Sequence, residues 1–352
     1  MKNLTKSIAV LNAGSTSLKY KVFSLDLKIL ASGEFANLNP KNIISHKKAF
    51  RKIIKKINKF DIVAIGHRVV HGGDEFKKPA LLNNSIIEKI SKYNKLAPLH
   101  NPFNLAVIKE AKKFFSAIPQ IAVFDTSFFA DIPLEAKIYG LPPDYFKKMK
   151  IQRFGFHGIS HQYVTDKAAE KLNKRLTKTN LITCHLGGGT SICAIKKGKP
   201  IEISMGFTPL EGPLMMRRSG NLDPGIILYL LENGYSSKYL FNLLNFESGF
   251  YGFLKTDNFL KILDKVKKGD KKANLVFNVY VNQIRKYIGA YFGLLGFLDA
   301  IVFTGAIGAG KPYTRKKICQ DLNFLEDVPI LAIPSDEEFL IAKEARKYLV
   351  NT

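Results

Sequence analysis

The residues best suited to chemistry are two arginines, a histidine pair and three carboxylates, each set in a short glycine-punctuated motif. Arg68 sits in Gly66-His67-Arg68-Val69-Val70-His71-Gly72-Gly73, directly after the apolar run Ile62-Val63-Ala64-Ile65. An Arg in such a loop can meet an anion with two parallel N–H donors. Arg218 lies in Arg217-Arg218-Ser219-Gly220-Asn221-Leu222-Asp223-Pro224, at the end of a long irregular stretch that begins at Ser204. Long loops of that kind in compact regions usually carry function. Arg68 and Arg218 could flank one transferring phosphoryl group, whose transition state spreads negative charge over its oxygens. His157 and His161 are spaced i, i+4 in Phe154-Gly155-Phe156-His157-Gly158-Ile159-Ser160-His161. On a helix that spacing could hold a metal, but two glycines and the absence of an adjacent Glu argue against a zinc helix. His157 is expected in a loop just before a helix that starts near a Ser160 cap, where anions collect, and His161 as a structural partner inside it. Asp125 and the pair Glu337/Glu338 follow apolar runs, where carboxylates can hold Mg²⁺ with water and phosphate oxygens, or can serve as helix-end acids.

Two further stretches look like copies of one another. Ile8–Leu11, the turn Asn12-Ala13-Gly14-Ser15-Thr16-Ser17 and Leu18–Phe23 match Leu181–Leu186, the turn Gly187-Gly188-Gly189-Thr190-Ser191 and Ile192–Ile195. Neither turn leads into a helical pattern, so each reads as a strand–turn–strand hairpin. Small-residue turns let backbone N–H groups approach an anion, so the repeat suggests a clamp on a polyphosphate. Gly305-Ala306-Ile307-Gly308-Ala309-Gly310-Lys311-Pro312 nearly matches a Walker A loop, yet has Pro312 where Mg²⁺ needs a hydroxyl. Gly305 and Gly308 fit better as a backbone shelf against a base or ribose.

The elements that must position these residues alternate. In the first half, strands are expected at 29–35, 62–65 and 121–124 and helices at 42–58, 84–95 and 102–115. In the second, a strand is expected at 201–203, then helices at 223–234 and 271–297, strands at 300–304 and 330–333, and a last helix at 336–350. Each half opens with three strands and continues with helices and further strands. A duplicated α/β unit fits this order better than one doubly wound sheet, with ligands at strand ends between the domains.

Composition narrows the classes. A chain of 352 residues with 46% hydrophobic and 24% charged residues suits about two globular domains. The net charge of +25 invites nucleic acid, but only nine of the 54 basic residues are Arg, and the lysines are spread along the chain without a nucleic-acid-binding pattern. Three cysteines without CxxC or Cys/His spacing suit a reducing compartment. The run before Asn12 is too short for a signal peptide, and the apolar stretch 287–310 holds Asp299 and six glycines, so it reads as a helix end, a strand and a turn rather than a membrane span.

Taken in order, these motifs, with Leu96-Ala97-Pro98-Leu99-His100-Asn101-Pro102, Phe124-Asp125-Thr126, Met205-Gly206-Phe207-Thr208-Pro209-Leu210-Glu211-Gly212 and Ile333-Pro334-Ser335-Asp336-Glu337-Glu338, resemble the acetate and propionate kinase family from Val10 to about Ala345. The resemblance implies the duplicated RNase H-like fold of acetate and sugar kinases, Hsp70 and actin, with an interdomain active-site cleft. It implies an N-terminal domain of residues 1–126 plus the C-terminal helix 337–352, and a nucleotide-binding domain of residues 127–336. The implied reaction is ATP plus acetate giving ADP plus acetyl phosphate, reversibly, with Mg²⁺ (or Mn²⁺), in a cytoplasmic homodimer without nucleic-acid or membrane partners.

By the same resemblance Arg68 and Arg218 bracket carboxylate and phosphoryl group, His157 stabilises the transition state and Asp125 orients the site. Arg68, Val70, Leu99, His100, Phe156 and Pro209 bind the acid. Asn12 and Glu337 bear on the metal. Asn12, Ser15, Ser17, Lys19, His185, Gly187, Gly189, Asp257, Gly305, Ile307 and Gly308 hold the nucleotide and its phosphates.

Departures from the family pattern cluster on the adenosine side. Gly188 replaces the usual Asn, Ala306-Ile307-Gly308-Ala309-Gly310 replaces Gly-Ile-Gly-Glu-Asn, and Asp257-Asn258-Phe259 lacks the Arg of Asp-x-Arg. The chain is also shorter than is usual in the family. These differences leave open a propionate kinase, a kinase with another donor such as a different nucleotide or pyrophosphate, and a catalytically silent nucleotide-binding sensor.

Overall fold

The computed structural model describes residues 5–39 and 42–350. The chain divides into two compact units. The first comprises Met1–Ala130, Phe156–Ile159 and Asp336–Thr352, and the second Asp131–Gly155 and Ser160–Ser335. The short segment Phe156–Ile159 thus packs with the first unit, inside the range 127–336 expected for the second domain.

The first unit is built on the strands β1 (Lys6–Ala13), β2 (Leu18–Ser24), β3 (Ile29–Phe35), β4 (Asp61–Val69), β5 (Ala80–Leu81) and β6 (Gln120–Phe124), in the order β3-β2-β1-β4-β6-β5. β1 pairs antiparallel with β2 and parallel with β4, which pairs parallel with β6. β1 is apolar and buried at successive positions, as a parallel strand covered on both faces requires. One cover is the helix Ile43–Ile57. Its Phe50, Ile53, Ile54 and Ile57 recur at helical spacing and are buried, and the Asn42 side chain caps it by accepting the Ile44 N–H at 2.9 Å. The helix Asn101–Phe114 adds Val107 and Ala111 to the same core. The last helix, Glu337–Val350, packs against β4 at Gly66, where an added Cβ would lie 2.5 Å from the Ile341 Cγ2.

The second unit repeats the plan with β7 (Leu181–Leu186), β8 (Thr190–Lys196), β9 (Lys199–Ile203), β10 (Ala300–Thr304) and β11 (Ile330–Ala332), in the order β11-β10-β7-β8-β9. Read from the other edge this is third, second, first, fourth, fifth strand, the order of β3, β2, β1, β4 and β6. The antiparallel hairpin and the two parallel additions recur as well. The helix Lys271–Leu295 buries Val276, Phe277, Tyr280, Ile284 and Ile288 against this sheet. It is capped by Asp270 and ends at Gly296 with φ 78°. The apolar stretch at 287–310 is this helix end, β10 and, in place of the expected turn, the short helix Gly305–Gly308; no described helix is long and apolar enough to cross a membrane.

Candidate active site

In the first unit the ends of β1, β4 and β6 and the start of the last helix bring five of the sequence-selected residues together. Asn12 Nδ2 donates to Glu337 Oε2 at 3.0 Å and to Glu338 Oε1 at 2.7 Å. Arg68 grips Asp125 with two bonds, Nε to Oδ1 at 3.2 Å and Nη2 to Oδ2 at 2.7 Å. Its Nη1 reaches Asn12 Oδ1 at 3.3 Å and Glu337 Oε2 at 3.2 Å. Lys21 closes the cluster, 2.7 Å from Asp336 and 3.4 Å from Glu338. Burial works against the Arg68 charge, but Asp125 and then Glu337 outweigh it and hold the guanidinium above its ordinary value. Burial likewise raises the Asp125 carboxyl against the pull of Arg68.

Arg68 lies on strand β4 itself, not in a loop after it as the glycines suggested. Those glycines answer to packing. Gly66 admits the last helix, and a Cβ on Gly72 would lie 2.8 Å from the Phe124 ring. The strand continues the alternation, so Val69 enters the core with Phe76, Leu105 and Phe124.

His157 has φ 58° and its backbone supports the Asp125 carboxylate. Beside it, a Cβ on Gly158 would fall 1.9 Å from the Asp125 carbonyl oxygen, so only glycine lets the chain pass there. The helix therefore starts at Gly158, and Ser160 lies inside it rather than capping it. Phe156 is buried with its ring edge-on to His71, centroids 5.4 Å apart. Val70 is buried, and Leu99 and His100 are half-buried in the same unit.

Sequence reasoning missed the side chains that brace this cluster. Asn104 accepts the Val70 N–H at 3.1 Å and donates to the Ala13 carbonyl at 2.6 Å. Asn101 makes the equivalent pair of bonds to the His71 backbone, at 3.0 and 2.9 Å. His46 bonds the Gly14 carbonyl at 2.8 Å, so the first glycine turn is pinned from two sides. The available signal was a pair of Asn at i, i+3 in the first turn of an otherwise apolar helix. Lys21, which pairs with Asp336 and Glu338, was legible only as a strand cation. Ser15 and Ser17 lie in the pinned turn, and the exposed Lys19 sits opposite Asn12 in the β1–β2 register.

The second unit gathers the other residues around its own hairpin. The turn Gly187–Gly189 closes through Gly187 N–H to Gly189 O at 2.9 Å. Gly188 is exposed and a Cβ there would meet nothing within 4 Å. Gly305, with φ 77°, lies so close to β7 that a Cβ would be 2.5 Å from the Leu186 carbonyl. The glycine shelf thus adjoins the glycine turn. Ile307 buries its side chain in the core, which leaves only its backbone for a ligand. His185 bonds Ser160 at 2.8 Å. His161 is held by Thr183 at 2.7 Å and Ser191 at 2.8 Å, and burial pushes it well below the ordinary histidine range. Among the described residues, no group of three or more His, Cys, Asp or Glu is arranged to hold a metal.

Arg218 differs from Arg68 in its company. Its Nη1 donates to the Pro209 carbonyl at 3.2 Å and contacts Met215 Sδ at 3.7 Å. Among the described residues no carboxylate pairs with it, and burial lowers its pKa to about 10. It remains charged at neutral pH, desolvated and uncompensated, which is the condition for taking an anion. Asp257 is salt-bridged to Arg217 at 2.6 Å. Phe259, where the Arg of Asp-x-Arg would stand, is in the core, edge-on to Phe250 at 5.8 Å.

The arrangement has close relatives. A sequence profile described as the acetokinase family matches residues 7–351. This chain belongs to the acetokinase family. It is 38% identical to the acetate kinase of Thermotoga maritima, over 97% of this chain and 98% of that one. A crystal structure of a propionate kinase from Francisella tularensis superposes with a TM-score of 0.88 at 34% identity, covering 97% of this chain and 100% of the other. The Porphyromonas gingivalis acetate kinase structure gives 0.87 at 33% identity, covering 98% and 100%. Membership of the acetokinase family makes the chain a kinase, and its duplicated sheets are the fold of the acetate and sugar kinases.

Proposed function

We propose that this chain transfers a phosphoryl group reversibly between ATP and a short-chain carboxylate, with acetate as the principal acid. The observation that carries this reading is Arg218, half-buried and neutralised by no carboxylate among the described residues, in a chain whose other arginine motif is complete around Asp125. The relatives' names support the acid, and the chemistry needs little else. A carboxylate oxygen is already a nucleophile: it bonds to the γ-phosphorus as the bond to the ADP oxygen breaks, without a general base. Catalysis then rests on positioning and charge.

Arg218 would bind the carboxylate and the moving phosphoryl oxygens, with His157 donating to the latter. Arg68, held by Asp125, would supply a fixed second cation, and Val70, Leu99, Phe156 and Pro209 an apolar wall for the acyl chain. The backbones of Gly187, Gly189, Gly305 and Gly308 would cradle the donor. The oxygen-rich set of Asn12 and Glu337 fits Mg²⁺, which takes one or two carboxylates and fills its shell with water and phosphate. When bound, the ion would neutralise charge on the donor phosphates.

A homodimer is part of the proposal. The helix Pro224–Glu232 exposes Ile226, Leu228, Tyr229 and Leu231, with Tyr235, Tyr239 and Phe241 exposed beyond it. Residues 224–246 carry only Glu232 and Lys238, so this face is neutral in a chain of charge +25 and can meet a copy of itself without repulsion. The three free cysteines fit a cytoplasmic setting.

A grid of donors (ATP, GTP, pyrophosphate) against acids (acetate, propionate, butyrate), read as acyl phosphate trapped by hydroxylamine, tests the reading. ATP with acetate should give the highest kcat/KM. One extra methylene shifts discrimination by only about 1–3 kcal/mol, so propionate should also react. Gly188 and Phe259 favour a second reading in which another donor is preferred, and the same grid would reveal it. Nucleotide binding with no acyl phosphate from any pair would leave the silent sensor instead.

A further inference from the structure

We propose that Arg217 grips the base of a purine nucleotide donor, with Tyr251 beneath its guanidinium and Asp257 fixing its orientation. The inference rests on the kinase reading above and names the residue that would decide which donor is used.

Arg217 is 41% exposed in its side chain, yet it is held at three points. Its Cζ lies 3.9 Å from the Tyr251 ring centroid, its Nε donates to Asp257 Oδ2 at 2.6 Å, and its Nη1 donates to the Phe246 carbonyl at 3.2 Å. Exposed ion pairs contribute little to stability, and ordering a long side chain costs entropy. The clasp therefore makes better sense as preorganisation of a binding group than as a brace. One face of the guanidinium is covered by Tyr251, which leaves the opposite face and Nη2 for a ligand. A planar cation with in-plane donors suits a purine, which offers a π-face for stacking and N7 as an acceptor.

Two details support a ligand here. Lys255, the left-handed C-terminal cap of the helix Gly249–Leu254, brings its Nζ to 5.6 Å from the same Tyr251 ring. Two cations thus share one aromatic ring beside a single carboxylate. The backbone also ties this cluster to the phosphate-binding turn. Met216 N–H donates to the Gly188 carbonyl at 3.3 Å, and the Met216 carbonyl accepts from Tyr251 N–H at 2.9 Å. Residues 215–218 therefore run between the glycine turn and the helix Gly249–Leu254. From this segment the adjacent arginines diverge, Arg218 to Pro209 and Met215, Arg217 to Phe246 and Asp257. One is available to the reacting phosphate and the other to the far end of the same nucleotide.

The test compares wild type with Arg217→Ala, Arg217→Lys and Asp257→Asn. Calorimetry with ADP and steady-state kinetics with ATP and acetate are the readouts. Arg217→Ala should weaken ADP binding and raise the KM for ATP about ten- to hundredfold, with kcat and the KM for acetate within about threefold. Arg217→Lys, which keeps charge but not the planar donors, should not rescue, and Asp257→Asn should fall between. Matched thermal melts exclude misfolding as the cause. Unchanged ADP affinity in a folded Arg217→Ala variant overturns the proposal while wild-type turnover keeps the kinase reading. A wild type that neither binds ADP nor forms acyl phosphate overturns both.

Discussion

In the first unit Arg68 meets Asp125, Glu337 and Asn12; in the second, Arg218 meets a carbonyl and a thioether. The two units share one strand order, so the scaffold is common and the electrostatics are not. At the ends of β1, β4 and β6 the charges are neutralised within the protein, which fixes their geometry before any ligand arrives. Around the second glycine turn a cation is desolvated and left for the ligand to neutralise. A duplicated sheet has thus been used once to build a rigid polar framework and once to build a receptor for an anion.

The comparison can be broken by removing each arginine. Arg68→Ala would leave Asp125 buried without its partner, so it should cost about 3–5 kcal/mol of stability in urea unfolding as well as activity. Arg218→Ala strands no carboxylate. It should lower the rate at least about a hundredfold, as loss of a transition-state donor does, with no loss of melting temperature. Equal destabilisation by the two changes would erase the distinction drawn between the units.

The pH dependence of wild type sharpens the same point. Arg218 holds its proton below about 10, so the KM for acetate should be flat from neutral pH upward and rise roughly tenfold per unit above about 10. Arg68, held above its ordinary value, should not contribute to that rise.

The smallest effect is expected at the open turn. Gly188→Asn enters empty space and should change stability by less than about 0.5 kcal/mol. If the side chain then reaches the donor, the KM for ATP falls. A folded variant that loses activity would show that the turn needs glycine for a reason its surroundings do not reveal.

Much of this was legible in the residue order. Both hairpins followed from apolar runs around small-residue turns, and the helices 43–57 and 271–295 from their apolar spacing. Some local signals misled because their cause lies elsewhere in the chain. The glycines around Arg68 suggested a loop, yet Gly66 is required by Ile341 of the last helix. Ser160 had the composition of a cap, but the helix begins earlier because Gly158 must slide past the Asp125 backbone. Asn101 and Asn104 attracted no role, since nothing nearby in sequence tells that they brace residues 13, 70 and 71.

By itself the sequence determined the elements, the repeat, the family and the residue types available for chemistry, because periodicity and turn composition are local properties of the chain. Only the tertiary structure decided how the charges are shared. Asn12 and Glu337 stand 325 positions apart and meet at 3.0 Å, while Arg217 and Arg218 are adjacent and turn to different partners. Which carboxylate a cation meets depends on distance through space and on burial, and neither is written in the spacing of residues along the chain.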